Sequence, residues 1–150
     1  DAWRRGLEKH GLAGELHSVE TAHSIEGAYR LVGRLLGRKG RKVPAVPALG
    51  SALLCVTGPA AVGAMRACSE AGVAIGRDLS LVAMNDEGLG PYLVPSLTSL
   101  QSPAREPFLR PAADWMIGRG PWRGPLLVEP ADIPMFFGES SGPAPASRGK

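Results

Sequence analysis

The stretch "DLSLVAMND", residues 78–86, is apolar for most of its length and then ends on an amide and a carboxylate. Five of the six residues at positions 79–84 are apolar, without Gly or Pro, which is typical of a strand buried on both faces of a parallel sheet. The carboxyl ends of such strands border the crevice where ligands bind, so Asn85 and Asp86 are candidates for contacting a ligand. The alternative is a turn, since two glycines follow closely, and the two roles can coexist.

The preceding strand is predicted to end in a similar way. An apolar run at residues 53–56 stops at Thr57 and Gly58, and Pro59 then occupies a favourable first-turn position for a helix. Because parallel strands end at the same edge of a sheet, Thr57 and Gly58 are predicted to open onto the same cleft as residues 85–86.

Helices and strands alternate along the rest of the chain. We predict the end of a helix around Trp3 and Leu7, a short strand at residues 16–19, a helix that begins after Ser24, a helix from Pro59 to about residue 70, and a helix near Pro107. This order predicts an α/β fold with right-handed crossovers around a parallel sheet.

The composition excludes several classes of protein. The chain has 150 residues, with 44% hydrophobic and 21% charged, which is typical of a single folded domain and not of a disordered chain. No apolar run is long enough to span a membrane, no leader opens the chain, and a cytoplasmic location is predicted. The net charge of +3 comes largely from five basic residues at positions 34–42, which are interpreted as a solvated surface rather than a phosphate contact.

No pattern indicates an enzyme, a metal site or a cofactor. His10, His17 and His23 are scattered, and neither a GxSxG elbow, a P-loop nor an HExxH motif occurs. Cys55 and Cys68 lie in apolar patterns without CxxC spacing, which predicts buried reduced thiols rather than a disulfide.

Several ordered motifs resemble one known family. The segment "LLCVTGPAAVGAMRACSEAGVAIGRDLSLVAMNDEGLGPYLVPSLTSLQ", residues 53–101, resembles the effector-binding core of LacI/GalR-family transcriptional regulators. That family has a strand ending in Asn-Asp, then an "AlGAmRA..E.G" helix, a "DlSvVgfDd" strand and "P.LTt". The segments at residues 2–12, 24–36 and 129–145 are similar to its flanking helices and closing strand, so the resemblance covers nearly the whole chain.

The resemblance implies a type I periplasmic-binding-protein-like fold, with two doubly wound subdomains around a ligand cleft. Residues 1–96 are expected to form most of the C-terminal subdomain, residues 97–120 to cross the hinge and add a strand and helix to the N-terminal subdomain, residues 121–142 to return, and residues 143–150 to form a disordered tail. The chain begins at Asp1 without a methionine, and we expect it to be part of a longer protein whose DNA-reading helix-turn-helix lies upstream.

The resemblance also implies which residues contact an effector and where the chain departs from the family. Thr57 and Gly58 stand where the family commonly has Asn-Asp, Asn85 replaces the first Asp of the "fDd" pair, and Ala22 replaces an aromatic that packs on the ligand. Together with Asp86, these residues are the expected ligand-binding set. The altered cleft implies either an effector that differs from a simple sugar or a weak response to small molecules.

The expected function is the effector-sensing and dimerising module of a repressor that binds a small polar ligand such as a sugar. The resemblance implies a homodimer, with Ala64, Ala67 and Tyr92 at its interface and operator DNA bound only through the absent helix-turn-helix. The alternative is a periplasmic sugar-binding component of an uptake system, which shares this fold and needs a secretion leader upstream.

Overall fold

Four strands of the computed structural model form one sheet among the residues that it describes. These residues are 2–19, 24–37, 49–102, 105–119, 124, 125, 127 and 132–143. The strands β1 (Ala52–Cys55), β2 (Ser80–Ala83), β3 (Thr98–Leu100) and β4 (Met135–Phe136) lie side by side in that order. The first three are parallel and β4 is antiparallel to β3, so a mixed α/β fold around a parallel sheet is confirmed.

Four α-helices accompany the sheet in the described ranges: α1 (Ala2–Lys9), α2 (Ile25–Leu36), α3 (Gly58–Ala71) and α4 (Glu106–Met116). The start of α2 is confirmed, since Ser24 Oγ accepts a hydrogen bond of 2.9 Å from Gly27 N–H. The helix α4 begins next to Pro107 as predicted, and none of its residues is buried. No helix in these ranges is both long and apolar enough to cross a bilayer.

The helices α2 and α3 pack closely because α3 carries small residues on the facing side. A Cβ atom at Gly63 would collide with the carbonyl oxygen of Ile25 and lie 2.9 Å from the backbone nitrogen of Tyr29. Tyr29 also donates a 2.8 Å hydrogen bond to Glu70, and this bond joins the two helices at a partly solvent-exposed edge. The neighbour that the small residues admit is therefore a helix of the same chain.

The core lies between this helix pair and one face of the sheet. Burial of apolar side chains from water is the main favourable contribution, about 1.5–3 kcal/mol for each fully buried large side chain. The fully buried leucines come from β2, from the residue before it and from the residue before β3, and they are Leu79, Leu81 and Leu97.

The chain returns to the sheet near its C-terminal end. Ser140 Oγ donates a 2.6 Å hydrogen bond to the Leu81 carbonyl and accepts one of 2.8 Å from Thr98 N–H. Because both partners belong to strands, these bonds hold the segment around Ser140 against β2 and β3.

Some predictions differ from the structure or fall outside it. The predicted strand at residues 16–19 is wrong: this segment has no regular structure, because the short apolar run has no neighbouring strand to pair with in the described part of the chain. Residues 98–100 form β3 of the same sheet as β1 and β2, and the assignment of residues 97–120 to a hinge crossover and the other subdomain stays a prediction. Ala22, His23, most of the basic cluster and residues 144–150 lie outside the described residues.

Candidate functional site

The ends of β1 and β2 lie side by side, as predicted. Cys55 pairs with Ala83 in register, and Met84 N–H donates a 2.9 Å hydrogen bond to the Cys55 carbonyl. The two segments that follow β1 and β2 also approach each other closely. A Cβ atom at Gly58 would lie 3.0 Å from the carbonyl oxygen of Asn85. The close approach of the two strand ends therefore depends on a residue without a side chain at position 58.

Asp86 forms a buried hydrogen-bonded centre at the end of β2. Its side chain is 1% exposed. Its Oδ1 accepts from Gly88 N–H at 2.8 Å, and its Oδ2 accepts from Gly90 N–H at 2.9 Å, from Ser99 Oγ at 2.7 Å and from Gln101 Nε2 at 3.0 Å. The four donors satisfy a buried carboxylate, whose burial would be costly without them.

These contacts decide the charge state of Asp86. Burial raises the pKa of its carboxyl, and hydrogen bonds from Ser99, Gly88 N–H, Gln101 and Gly90 N–H together outweigh that effect, so the pKa lies below its usual value. Asp86 is therefore ionised at neutral pH.

Asn85 forms a turn immediately before this centre. Its Oδ1 accepts a 3.0 Å hydrogen bond from Glu87 N–H and one of 3.3 Å from Ser102 Oγ. Glu87 has a left-handed backbone with φ of 55°, which the short turn imposes. The turn predicted for Asn85 and Asp86 is confirmed, and their contact with a ligand stays a prediction. The Asn85 side chain is partly exposed, whereas that of Asp86 is enclosed.

Thr57 and Gly58 begin the helix α3. Thr57 Oγ1 accepts a 3.3 Å hydrogen bond from Ala60 N–H, so it acts as the N-cap, and Gly58 is buried beneath the end of β2. Both residues lie just beyond the carboxyl end of β1, and their contact with a ligand stays a prediction. Ala22, the fifth expected ligand residue, is outside the described part of the chain.

Three polar residues of this site were not found from the sequence: Ser99, Gln101 and Ser102. Ser99 and Gln101 are two apart, so they lie on one side of an extended segment, where both contact Asp86. The feature that could have drawn attention to Ser99 is a serine within a strand where, as the structure shows, it is fully buried. A buried polar group needs a hydrogen-bond partner. The sequence offers no sign that its partner is Asp86.

The expected dimer residues fall in two different environments. Ala64 is 0% exposed and Ala67 is 3% exposed, and both belong to the core cluster within the chain. Tyr92 is 83% exposed and the nearby Val94 is 94% exposed. The part of this set that a second copy can reach is therefore the segment around Tyr92, and the interface stays a prediction.

A surface groove of about 570 Å³ borders Val94 and lies at the C-terminal end of α3, away from the strand ends. Met65, Ser69, Val73 and Glu139 contribute to its walls. The candidate ligand residues at positions 57, 58, 85 and 86 do not line it. In the part of the chain described here, those four residues lie together where β1 and β2 end, and this edge of the sheet is called the ledge. Thr57 and Asn85 are partly exposed there, whereas Gly58 and Asp86 are buried.

Among the described residues, the remaining candidate reactive groups are two buried cysteines and two exposed histidines, His10 and His17. Cys55 and Cys68 are free and buried as predicted, and burial raises their pKa values to about 12 and about 11. His17 lies 3.6 Å from Glu15 on the surface. Within the described ranges, no group of His, Cys, Asp and Glu side chains is arranged to hold a metal ion.

Comparison with known proteins relates the chain to a periplasmic binding protein-like domain and to transcriptional regulators. The model of the periplasmic binding protein-like domain matches residues 1–118. The HTH-type transcriptional regulator AscG of Escherichia coli (strain K12) is 39% identical over 56 residues, which cover 37% of this chain and 17% of AscG.

Solved structures share the fold. A LacI family transcriptional regulator from Bifidobacterium animalis subsp. lactis DSM 10140 has a TM-score of 0.70 at 19% identity, covering 95% of this chain and 49% of that protein. A LacI family transcriptional regulator from Arthrobacter sp. FB24 in complex with lactose has a TM-score of 0.67 at 19% identity. The match covers 93% of this chain and 49% of that protein. The chain thus spans about half the length of these structures, and the periplasmic-binding-protein-like fold is confirmed.

Proposed function

Because the chain belongs to the periplasmic binding protein-like domain family and carries the effector-binding core found in LacI/GalR-type regulators, we propose that it senses a small polar effector for a DNA-binding repressor. The effector is sugar-like and lies between this subdomain and a second one. The role is binding without catalysis, in the cytoplasm and without a cofactor. Operator DNA is contacted by a helix-turn-helix outside these residues.

The observation that carries this proposal is the close approach of the ends of β1 and β2 at Gly58 and Asn85. It brings Thr57, Gly58 and Asn85 onto one ledge at the carboxyl edge of a parallel sheet, where ligands of such folds bind. Asn85 contacts the effector directly. Asp86, which is enclosed, supports the ledge through its four donors.

The same ledge is connected to the segment that follows β3. Gln101 donates to Asp86 and Ser102 donates to Asn85, so both residues after β3 are attached to the end of β2. Residues 101–120 lead to the second subdomain, with α4 as part of it. An effector that binds Asn85 more tightly in one arrangement of the subdomains than in another therefore shifts their equilibrium.

The test is thermal-shift screening of the full-length protein that contains this chain, against sugars, sugar phosphates and purines. A ligand at 100 times its dissociation constant stabilises the folded state by about 2.7 kcal/mol. Asn85→Ala is expected to remove the shift, while Arg30→Ala, on the exposed side of α2, is expected to keep it. A screen in which no compound stabilises the wild-type protein counts against effector sensing.

Dimer formation is supported by the exposed apolar segment around Tyr92 and Val94, since exposed neighbouring apolar side chains commonly mark contact surfaces. Analytical ultracentrifugation of the full-length protein is expected to show a homodimer, which Tyr92→Glu weakens and Arg30→Ala does not. A monomer at high concentration in the wild-type protein contradicts this part of the proposal.

The alternative role in sugar uptake uses the same cleft. The relative AscG, a transcriptional regulator, favours regulation over uptake. Determining the upstream coding sequence separates the two, because a helix-turn-helix supports a regulator and a secretion leader supports uptake.

A further inference from the structure

We infer that the groove at the C-terminal end of α3 binds the C-terminal segment of this same chain, residues 144–150 (APASRGK), which lies outside the described residues. The apolar first part of this segment lies against the apolar side of the groove, and its two cations, Arg148 and Lys150, face the acidic side. This contact takes the place of the disordered tail that the resemblance implies. It goes beyond effector sensing, because it needs no effector.

The described chain ends beside the wall of this groove. Gly142 touches Gly76, since a Cβ atom on Gly142 would collide with the Gly76 carbonyl oxygen. Ser80 Oγ donates to the Gly142 carbonyl at 3.3 Å and accepts from Gly142 N–H at 3.2 Å, so this contact is held in place. Ile75, the residue before Gly76, lines the groove. Because a seven-residue segment reaches up to about 24 Å, residues 144–150 are long enough to lie along it.

The acidic side of the groove consists of a carboxylate and a helix end. Glu139 lines the groove, and its Oε2 accepts from Ser96 N–H at 3.0 Å and from Ser96 Oγ at 3.2 Å. Among the described residues, its other oxygen has no hydrogen-bond donor. The helix α3 ends at Gly72 without a basic residue in its last turn, so nothing in the helix offsets the partial negative charge there.

The charges of the C-terminal segment are complementary to this side. The segment carries two cations and no acid. Arg77, a cation in the turn after α3, is already paired with Asp78 at 2.9 Å. Arg148 and Lys150 are therefore well suited to face Glu139 and the last carbonyls of α3.

The apolar side of the groove suits the first residues of the segment. Met65, Val73 and Val94 line it, and Val94 is 94% exposed without an occupant. Residues 144–146 are alanine, proline and alanine, whose burial against these side chains is favourable. The groove volume of about 570 Å³ lies within the range of about 300–1,000 Å³ that is usual for binding pockets. Tyr92 does not line the groove, so it stays available for the proposed dimer contact.

The test measures the mobility of a nitroxide spin label on the C-terminal segment, in the full-length protein that contains this chain. Ser147→Cys provides the attachment site, since Cys55 and Cys68 are buried, and any cysteine outside these residues is first replaced by serine. We expect a slow component to dominate the electron paramagnetic resonance spectrum, because a bound segment moves with the protein. A spectrum that shows only the fast motion of a free chain end contradicts the inference.

Variants of the segment and of the groove separate the two sides of the contact. Arg148→Gln combined with Lys150→Gln is expected to reduce the slow component at least threefold, and about 1 M salt is expected to weaken it by screening. Ser69→Trp, which fills the groove from an exposed position of α3, is expected to reduce it as strongly. The matched control is Arg30→Trp, at an exposed position of α2 outside the groove, which is expected to keep the slow component.

A slow component that persists in the glutamine variant, or in a Ser69→Trp protein whose circular dichroism shows that it is folded, overturns the inference. The glutamine variant changes only the C-terminal segment, so its result stands even where the tryptophan variant does not fold. The measurement contains no effector. A failure of the effector screen therefore leaves this inference unaffected, and its own failure leaves effector sensing intact.

Discussion

Gln101 donates a 3.0 Å hydrogen bond to the carboxylate of Asp86 across fifteen positions of the chain. Gln101 also donates to Ser99 Oγ at 2.9 Å, and Ser99 donates to the same Asp86 oxygen. The three side chains thus form a closed set of hydrogen bonds between the end of β2 and the end of β3. Such a set stabilises the arrangement only while every member is satisfied.

Replacing Asp86 with Asn is expected to lower the free energy of unfolding by about 2–3 kcal/mol at neutral pH. The amide keeps the shape of the side chain, but its NH₂ group would face donors where a carboxylate oxygen now accepts. Urea unfolding followed by circular dichroism measures the change. Glu87→Gln, an exposed acid-to-amide change one residue away, is the control and is expected to stay within about 0.5 kcal/mol.

The penalty of Asp86→Asn is expected to depend on pH. The pKa of Asp86 is lower in the folded protein than its usual value of 3.8, so the ionised group stabilises the fold above that pH. This contribution is lost as the pH falls through the folded-state pKa. Urea unfolding of both proteins between pH 7 and pH 3 should show the difference between them shrinking at the acid end. If the difference in the free energy of unfolding between the two proteins grows as the pH falls, the lowered pKa of Asp86 is contradicted.

Replacing Gly63 with Ala is expected to destabilise the protein by about 1–3 kcal/mol, because the new methyl group collides with the backbone of α2. Gly33→Ala is the matched control within α2, since a Cβ atom there meets nothing within 4 Å. Alanine favours helices over glycine by about 1 kcal/mol, so the control is expected to be neutral or stabilising. Thermal unfolding of the two variants should shift in opposite directions or, at the least, by clearly different amounts.

The thiols of Cys55 and Cys68 are expected to resist modification in the folded protein. Burial raises their pKa values to about 12 and about 11, which leaves almost no thiolate at pH 8. Mass spectrometry after treatment with iodoacetamide should find both residues unmodified in buffer and both alkylated in denaturant. Rapid labelling of either thiol in the native protein would show that the packing of α3 on β1 is open.

The periodic features of the sequence were sufficient to predict much of the fold. Apolar runs located β1 and β2. The capping residue Ser24 and the first-turn residue Pro59 located the starts of α2 and α3, because these signals act between residues a few positions apart. The weak run at residues 16–19 was misleading, since a strand exists only where another strand pairs with it.

The sequence by itself determined that polar residues follow two parallel strands, and hence that Gly58 and Asn85 meet at one edge of the sheet. Only the tertiary structure decided how those residues are used. Asp86 is enclosed because Ser99 and Gln101 come from another part of the chain, and Ala64 is buried within the core cluster of the same chain. Such pairings depend on which surfaces meet after the chain has folded, and no local pattern records them.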